Sequence, residues 1–325
     1  MVASVRLFEM GWHVLLVVDP NLLLQMRCDK CSAPAIVFQR YSGLHLCQKH
    51  FLLDVEKKIK REVRKAKVSG TLAIAFSGGK DSAVALYVLN ELLAKLGTTI
   101  VAITIDEGIA GYRDAVLKKA ASLINQLGIE WQVLSFEQEF GIRIDRVKDR
   151  PCTLCGIVRR SLLNRAAKSI GASALATGHN LDDEAQTILM NYLRGDIDRL
   201  LRLDHGEKAG LVRRIKPLKY VPEKEVALYA FLRGIPIDLE ECRFSFGVFR
   251  AEVRELLNEL EFNHPGTKHS LARGHEKLLQ LTQRKPFELR ECIKCGEPSV
   301  NQLCQSCDEL AKVRLQGGAE NKTKQ

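Results

Sequence analysis

The sequence predicts an α/β fold built on an open, doubly wound parallel sheet, and three observations support this prediction. Short apolar runs alternate with stretches of helical length over the first two thirds of the chain. The first run, Thr71–Phe76, is apolar throughout, as expected of a parallel strand covered on both faces. Polar or glycine-containing turns follow the runs, at the carboxyl ends of the predicted strands, where such sheets hold their ligands.

The elements follow one another in the order that βαβ units with right-handed crossovers require. The predicted strands are Thr71–Phe76, Thr99–Ile105, Trp131–Phe136 and Ala172–Ala176. The helices predicted between and after them are Ala83–Leu96, Arg113–Leu127, residues 151–170 and Asp182–Leu193. Beyond Leu211 the pattern is mostly helical, at Glu223–Arg233, Phe249–Glu261 and Lys268–Leu281.

The composition is that of a globular protein whose positive charge fits either a polyanionic partner or a surface kept solvated by basic residues. Hydrophobic residues make up 46% and charged residues 27% of the chain, and no apolar run reaches the roughly 18 residues needed to cross a membrane. There are 49 Lys and Arg residues against 39 Asp and Glu residues, a formal net charge of +10. A strongly basic stretch lies at Asp54–Lys67 and is typical either of a solvated helix face or of a contact with RNA.

The ten cysteines are spaced as metal ligands, mostly in C-x-x-C pairs, and a reducing cytosol fits them better than a secreted disulfide scaffold. Two sets have the full complement of a structural zinc site, so the sequence predicts two Zn²⁺ ions. Each ion would close a segment too small to fold unaided and would stabilise it by on the order of 10 kcal/mol. The sets are Cys28, Cys31, Cys47 and His50, and Cys292, Cys295, Cys304 and Cys307.

The turn after the first strand predicts an anion-binding site. It reads Ser77-Gly78-Gly79-Lys80-Asp81-Ser82. Two glycines allow close approach of the backbone, the start of the next helix supplies free N–H groups, and Lys80 adds a positive charge. The spacing is not that of a Walker A loop.

Residues after two other predicted strands are expected at the same edge of the sheet. Asp106 follows the second strand, and Gly178 and His179 follow the fourth. Together they predict a second wall for the anion site, although Asn180 or Asp182 could simply cap the next helix.

These motifs resemble those of a known enzyme family. The segment SGGKDS after a strand is similar to the PP-loop of the N-type ATP pyrophosphatases, which cleave ATP between its α and β phosphates and leave AMP on an acceptor oxygen. The segments PCTLCG from Pro151, Arg159-Arg160 and GHNLDDEAQ from Gly178 resemble the tRNA 2-thiolation family, the TtuA/NcsA/TtcA-type branch of PP-loop enzymes. The likeness extends from Cys28 to about Leu310.

The resemblance implies a cytoplasmic tRNA sulfurtransferase that uses ATP and Mg²⁺. A uridine C2 oxygen would be adenylated and then replaced by sulfur, with position 54 of the tRNA favoured over position 34. The sulfur donor would be a ubiquitin-like carrier protein or sulfide. No membrane would be involved, and the protein could form a homodimer. In the family an acidic residue at the place of Asp183 lies close to the chemistry. The basic residues expected to contact tRNA phosphates are Arg194, Arg199, Arg202, Arg213, Arg214, Lys216 and Lys219.

Three cysteines remain after the zinc sets are assigned, namely Cys152, Cys155 and Cys242. Cys152 and Cys155 would begin a helix beside Arg159, a setting that favours thiolates. The residues alone leave a structural pair, a redox pair and a persulfide open. In the family, three such cysteines hold a 4Fe-4S cluster with one iron open to the incoming sulfide. The catalytic candidates are therefore Cys152, Cys155, Cys242, Asp183, Arg159 and Lys80.

We divide the chain into six segments. They are a leader or over-extended start (1–25), an N-terminal zinc module (26–52), the PP-loop domain (53–215), a helical part with Cys242 (216–288), a C-terminal zinc module (289–312) and a disordered tail (313–325).

Two other functions are alternatives to a tRNA sulfurtransferase. One alternative is a PP-loop ligase with a nitrogen nucleophile, such as a tRNA-lysidine synthetase, which has no use for three central thiols. The other is a non-enzymatic RNA-binding zinc protein, which the intact Lys80, Asp81 and Asp183 disfavour.

Overall fold

A parallel sheet lies at the centre of the protein in a computed structural model, which describes residues 26–201, 210–237, 242, 244, 249–282 and 289–322. The predicted leader at 1–25 and Arg202 lie outside the described residues. The strands are β1 Val37–Gln39, β2 Leu44–Leu46, β3 Thr71–Ala75, β4 Thr99–Asp106, β5 Glu130–Ser135, β6 Ala174–Thr177, β7 Arg214–Ile215, β8 Arg290–Glu291 and β9 Pro298–Ser299.

The helices of the described ranges surround this sheet and extend beyond it. They are α1 Gln48–Ala66, α2 Lys80–Leu93, α3 Tyr112–Leu127, α4 Phe136–Phe140, α5 Pro151–Ser169, α6 Leu181–Leu193, α7 Ile197–Leu201, α8 Glu223–Arg233, α9 Phe249–Asn263, α10 Thr267–Leu281 and α11 Gln305–Lys322, with short 3₁₀ turns at Ala94–Leu96 and Ile144–Arg146.

The central sheet has five strands in the order β5-β4-β3-β6-β7, and every neighbouring pair is parallel. The chain moves outward from β3 through β4 to β5 and then returns to the other side of β3. The loops after β3 and β6 therefore meet at the carboxyl edge, at the point where the strand order reverses. The predicted α/β class with a parallel sheet is confirmed.

Two apolar layers cover the sheet. One contains buried residues of α1, α2, α3 and α8, and the other contains those of α5 with Phe136 and Leu310. The edge strand β7 was not predicted, because two residues are too few to show a periodic pattern. The polar segment from residue 313, predicted to be a tail, lies on α11 as far as Lys322. Leu310 and Val313 pack on the core and fix the first half of this helix.

A buried polar network joins the N-terminal module to the sheet domain. Glu225 of α8 accepts hydrogen bonds from Gln39 Nε2 at 3.0 Å and from the Tyr41 hydroxyl at 2.7 Å. Lys58 of α1 lies 2.9 Å from the same carboxylate, and the Glu225 side chain is 8% exposed. A buried carboxylate is tolerated when it is paired and hydrogen-bonded in this way. In the described ranges, no helix combines the length and the apolar character of a membrane span.

Candidate functional site

The loop after β3 has the backbone shape of an anion site. Gly78 has a φ of 88°, and a Cβ there would lie 2.5 Å from Val116 Cγ1, so only glycine fits. The Ser77 and Ser82 hydroxyls lie 3.0 Å apart across the turn. Gly79 precedes α2 as its N-cap and offers no side-chain cap, which leaves the N–H groups of the first helical turn available to a ligand.

Lys80 at the start of α2 is held between two carboxylates. Its Nζ lies 2.7 Å from Glu223 Oε1 and 3.2 Å from Asp81 Oδ2. Burial acts to lower the pKa of Lys80, but the two carboxylates outweigh it and raise this pKa above its usual value. Glu223 was not predicted from the sequence, because it lies 143 residues further along the chain and belongs to no motif.

The segment after β6 forms the second wall, as predicted from its position. A Cβ on Gly178 would lie 2.7 Å from the backbone nitrogen of Ser82, so this glycine lets the two loops touch. Asn180 donates from Nδ2 to Asp81 Oδ1 at 3.0 Å. It also caps α6 in a reciprocal capping box with Asp183, so capping and contact with the first loop occur together.

The acidic residues of this wall have different surroundings. Asp182 is buried, where it pairs with Lys268 and accepts the Glu223 N–H at 2.7 Å, so its role is structural. Asp183 lies beside it in the first turn of α6, and burial raises the pKa of its carboxyl group. Arg250 Nη1 lies 3.8 Å from Asp183 Oδ1.

Arg250 reaches this wall from the first turn of α9. Its guanidinium donates to Gln186 Oε1 at 3.1 Å and to Thr187 Oγ1 at 3.0 Å. Sequence reasoning missed this arginine, because its only signal was a basic residue eight positions after Cys242. His179 lies beside the same wall and contacts Thr177 Oγ1 at 2.9 Å through Nδ1.

The end of β4 supplies the third part of the edge. Asp106 Oδ1 accepts the N–H of Gly108 at 2.9 Å and so shapes the turn that follows. The next residue, Glu107, is 7% exposed and bridges two arginines, at 3.1 Å from Arg113 Nε and 3.4 Å from Arg159 Nη1. Arg113 also donates to the Ser77 carbonyl at 2.8 Å. A chain of contacts thus runs from the first loop to Arg159 on α5.

Three thiols come together beyond Arg159. Cys152 and Cys155 lie in the first turn of α5, and Cys155 and Cys242 pack against the same apolar layer. The Cys152 thiol donates to the Phe244 carbonyl at 3.1 Å, so the segment with Cys242 lies directly over the start of α5. The structure therefore juxtaposes the three cysteines that remained after the zinc sets were assigned.

The prediction that this setting favours thiolates is wrong for the chain without metal. Burial is the largest influence on Cys155 and raises the pKa of its thiol to about 11, although Arg159 opposes the change. Burial also raises the pKa of Cys152. The helix start and Arg159 are too weak to offset desolvation. A bound metal would reverse this balance, because a coordinating thiol is deprotonated.

The two terminal cysteine sets form compact groups. Within each set the candidate ligand atoms all lie within 4.8 Å of one another. In the first set His50 Nδ1 lies 3.3 Å from Cys28 Sγ and 3.4 Å from Cys47 Sγ. Four such donors around one point suit a tetrahedral ion. Cys152, Cys155 and Cys242 do not form such a compact group among the described residues.

Comparison with known proteins gives a consistent result. The PP-loop domain family matches residues 52–260, and the N-terminal LIM domain of the 2-thiouridine synthetase TtuA matches residues 27–52. The chain is 40% identical to the tRNA 2-thiolation protein NcsA of Haloferax volcanii, over 89% of the chain and 99% of that protein. It is 35% identical to the tRNA-5-methyluridine(54) 2-sulfurtransferase of Pyrococcus horikoshii, over 87% of the chain and 93% of that protein.

A solved structure is similar over almost the same length. The U34-tRNA thiolase NcsA from Methanococcus maripaludis, which was solved with its 4Fe-4S cluster, superposes with a TM-score of 0.81 at 36% identity. The match covers 89% of this chain and 96% of that one. With its PP-loop, its second wall and its terminal cysteine sets, this chain belongs to the NcsA/TtuA-type tRNA 2-thiolation family of PP-loop proteins.

Proposed function

We propose that this chain is an ATP-dependent tRNA sulfurtransferase that converts a uridine of tRNA into 2-thiouridine. The observation that carries the proposal is the placement of three thiols beside a PP-loop, with Arg113, Glu107 and Arg159 as the physical connection. The names of the relatives support the same reaction. A PP-loop ligase with a nitrogen nucleophile would leave the three thiols without a role.

The first half of the reaction takes place at the PP-loop. The uridine C2 oxygen attacks the α-phosphorus of ATP, an O–P bond forms, and the bond to pyrophosphate breaks. The N–H groups after Gly79, the hydroxyls of Ser77 and Ser82, and the Lys80 ammonium hold the phosphates. We propose that Asp183, together with Asp81, would hold Mg²⁺, which prefers carboxylate oxygens and phosphates as ligands. Asp106, Gly178 and His179 complete the nucleotide pocket.

The second half takes place at the three thiols. Cys152, Cys155 and Cys242 would hold a 4Fe-4S cluster, and such a cluster supplies an open iron for an incoming sulfide. Arg159 lies between these cysteines and the PP-loop, where its positive charge can stabilise the anionic adenylated uridine. The sulfur atom forms a bond to C2, the bond from C2 to the oxygen that carries AMP breaks, and AMP leaves.

The partners follow from this chemistry. The proposed substrate is tRNA, and the proposed sulfur donor is a ubiquitin-like carrier protein or free sulfide, in the cytoplasm. Relatives named for positions 34 and 54 are similar to this chain to the same degree, at 36% and 35% identity. We propose position 54. The base at that position is held in tertiary contacts, so an enzyme that reaches it requires a more extended basic surface in contact with the body of the tRNA.

A reconstituted assay tests the function. The chain is incubated anaerobically with unmodified tRNA, ATP, Mg²⁺ and sulfide, and we expect AMP, pyrophosphate and 2-thiouridine in tRNA hydrolysates. ADP and phosphate as products would refute the PP-loop chemistry. An isolated anticodon stem-loop and an isolated T-arm are tested in parallel. Product on the anticodon stem-loop alone would overturn position 54 and leave the reaction standing.

Each terminal cysteine set is proposed to hold one structural Zn²⁺. We expect Cys47→Ser and Cys304→Ser each to remove one zinc per chain and to unfold the module concerned, because metal binding contributes on the order of 10 kcal/mol to the folding of such segments. Elemental analysis and limited proteolysis measure both effects. Cys242→Ser is the control and should retain two zinc ions. Retention of both zinc ions in either module variant would contradict the assignment.

A further inference from the structure

The outward face of α1 carries an unusual arrangement of charge. This helix buries Phe51, Val55, Ile59 and Val63, which recur every four residues and face the core. The opposite face is strongly basic and solvent-exposed. Its exposed cations are Lys57, Lys60, Arg61, Arg64 and Lys65.

Two of the acidic residues of α1 are paired with groups outside the row Lys57, Lys60 and Arg64. Asp54 pairs with Lys58 at 2.7 Å and accepts from Gln39 Nε2 at 2.9 Å. Glu56 pairs with Arg233 of α8 at 2.5 Å and accepts from the Tyr229 hydroxyl at 2.9 Å. Neither carboxylate is therefore available to neutralise the outward face.

The third acidic residue neutralises only part of that face. Glu62 pairs with Arg61 at 3.3 Å and with Lys65 at 3.0 Å. Among the described residues, no carboxylate pairs with Lys57, Lys60 or Arg64. These three cations lie on successive turns of one face, within about 10 Å along the helix axis. A row of unneutralised cations on a rigid helix is well suited to a polyanion.

The basic face continues toward the proposed active site. Arg61 and Lys65 pack on the ring of Tyr220 at 5.1 and 5.7 Å from its centroid. Lys219 packs on the same ring at 5.7 Å. Tyr220 lies three residues before Glu223, whose carboxylate holds Lys80. The cations of α1 are thus joined through one aromatic ring to the segment that borders the PP-loop.

We propose that the outward face of α1 is a surface that binds the phosphate backbone of tRNA, away from the reacting uridine. The inference rests on the proposed function and adds a location to it. RNA fits this face better than an acidic protein does, because protein interfaces depend on buried apolar anchors. Leu53 is the exposed large apolar residue on α1, whereas phosphate contacts require cations alone.

The test compares two triple variants with equal loss of charge. The first is Lys57→Ala/Lys60→Ala/Arg64→Ala, in which alanine preserves the helix. The control is Lys95→Ala/Lys118→Ala/Lys168→Ala, which removes three exposed cations from other surfaces. Affinity for unmodified tRNA is measured by fluorescence anisotropy at several salt concentrations. Affinity for MgATP and the melting temperature are measured alongside.

We expect the α1 variant to lose tRNA affinity by about tenfold or more at physiological salt. The slope of the logarithm of the binding constant against the logarithm of the salt concentration should become shallower by about 2 to 3, since each lost phosphate contact removes roughly 0.7 to 0.9 from it. The control should bind tRNA as the unmodified chain does, and both variants should retain MgATP affinity. Equal losses of tRNA affinity in the two variants would mean that only the net charge matters, and this would overturn the inference. The absence of a loss in either variant would overturn it as well. Failure of the unmodified chain to bind tRNA at all would instead refute the proposed function together with this surface.

Discussion

Replacing Cys242 by alanine should remove the iron and abolish tRNA thiolation while the chain stays folded. Cys242 is half-buried beside Cys155, and a cluster held by three thiols cannot keep its position with two. The protein purified without oxygen should be brown with about four irons, and the variant should be colourless. Iron and sulfide analysis and nucleoside mass spectrometry measure the two losses, which should exceed about a hundredfold for thiolation.

Phe244→Leu is the matched control for this experiment. It changes a neighbouring side chain but keeps the carbonyl that accepts the Cys152 hydrogen bond, so iron and activity should remain. If Cys242→Ala retained both iron and activity, the three-cysteine assignment would be wrong. An unmodified chain that is active without iron would instead favour a persulfide on Cys152 or Cys155.

The second large effect is expected at Lys80. Lys80→Ala should abolish release of pyrophosphate, because the ammonium neutralises charge at the phosphates, and loss of such a group lowers the rate by about 10²- to 10³-fold. Pyrophosphate release in the presence of tRNA is the measurement. Lys95→Ala is the control, since that lysine is exposed just after α2. A Lys80→Ala variant with unchanged turnover would exclude Lys80 from the chemistry.

The parts predicted correctly are those encoded by neighbouring residues. Strands β3, β4 and β6 are short, mainly apolar runs, so their identity and the position of the loops after them could be predicted from sequence. The two terminal cysteine sets were found for the same reason, because each is closed within a short segment.

The parts that were missed depend on contacts between distant residues. Glu223 contacts Lys80, which lies 143 residues earlier in the sequence, and Arg250 contacts Thr187, which lies 63 residues earlier. No local sequence pattern indicates either contact. Glu107 was missed although it follows Asp106 directly, because its role arises from the two arginines that it bridges. The error on the thiolates has a similar origin, since burial of Cys155 is set by packing and outweighs the nearby charge.

The ion pair between Lys80 and Glu223 links nucleotide binding to the first turn of α8. The Lys80 ammonium carries a single positive charge, which it already shares between Glu223 and Asp81. A phosphate bound at the PP-loop would draw on the same charge, so we expect it to weaken the contact between Lys80 and Glu223. By thermodynamic reciprocity, a weaker contact to Glu223 would then favour phosphate binding by the same factor. Because the Glu223 N–H donates to Asp182, which is paired with Lys268, we expect occupancy of the PP-loop to change the strength of this pair at α10.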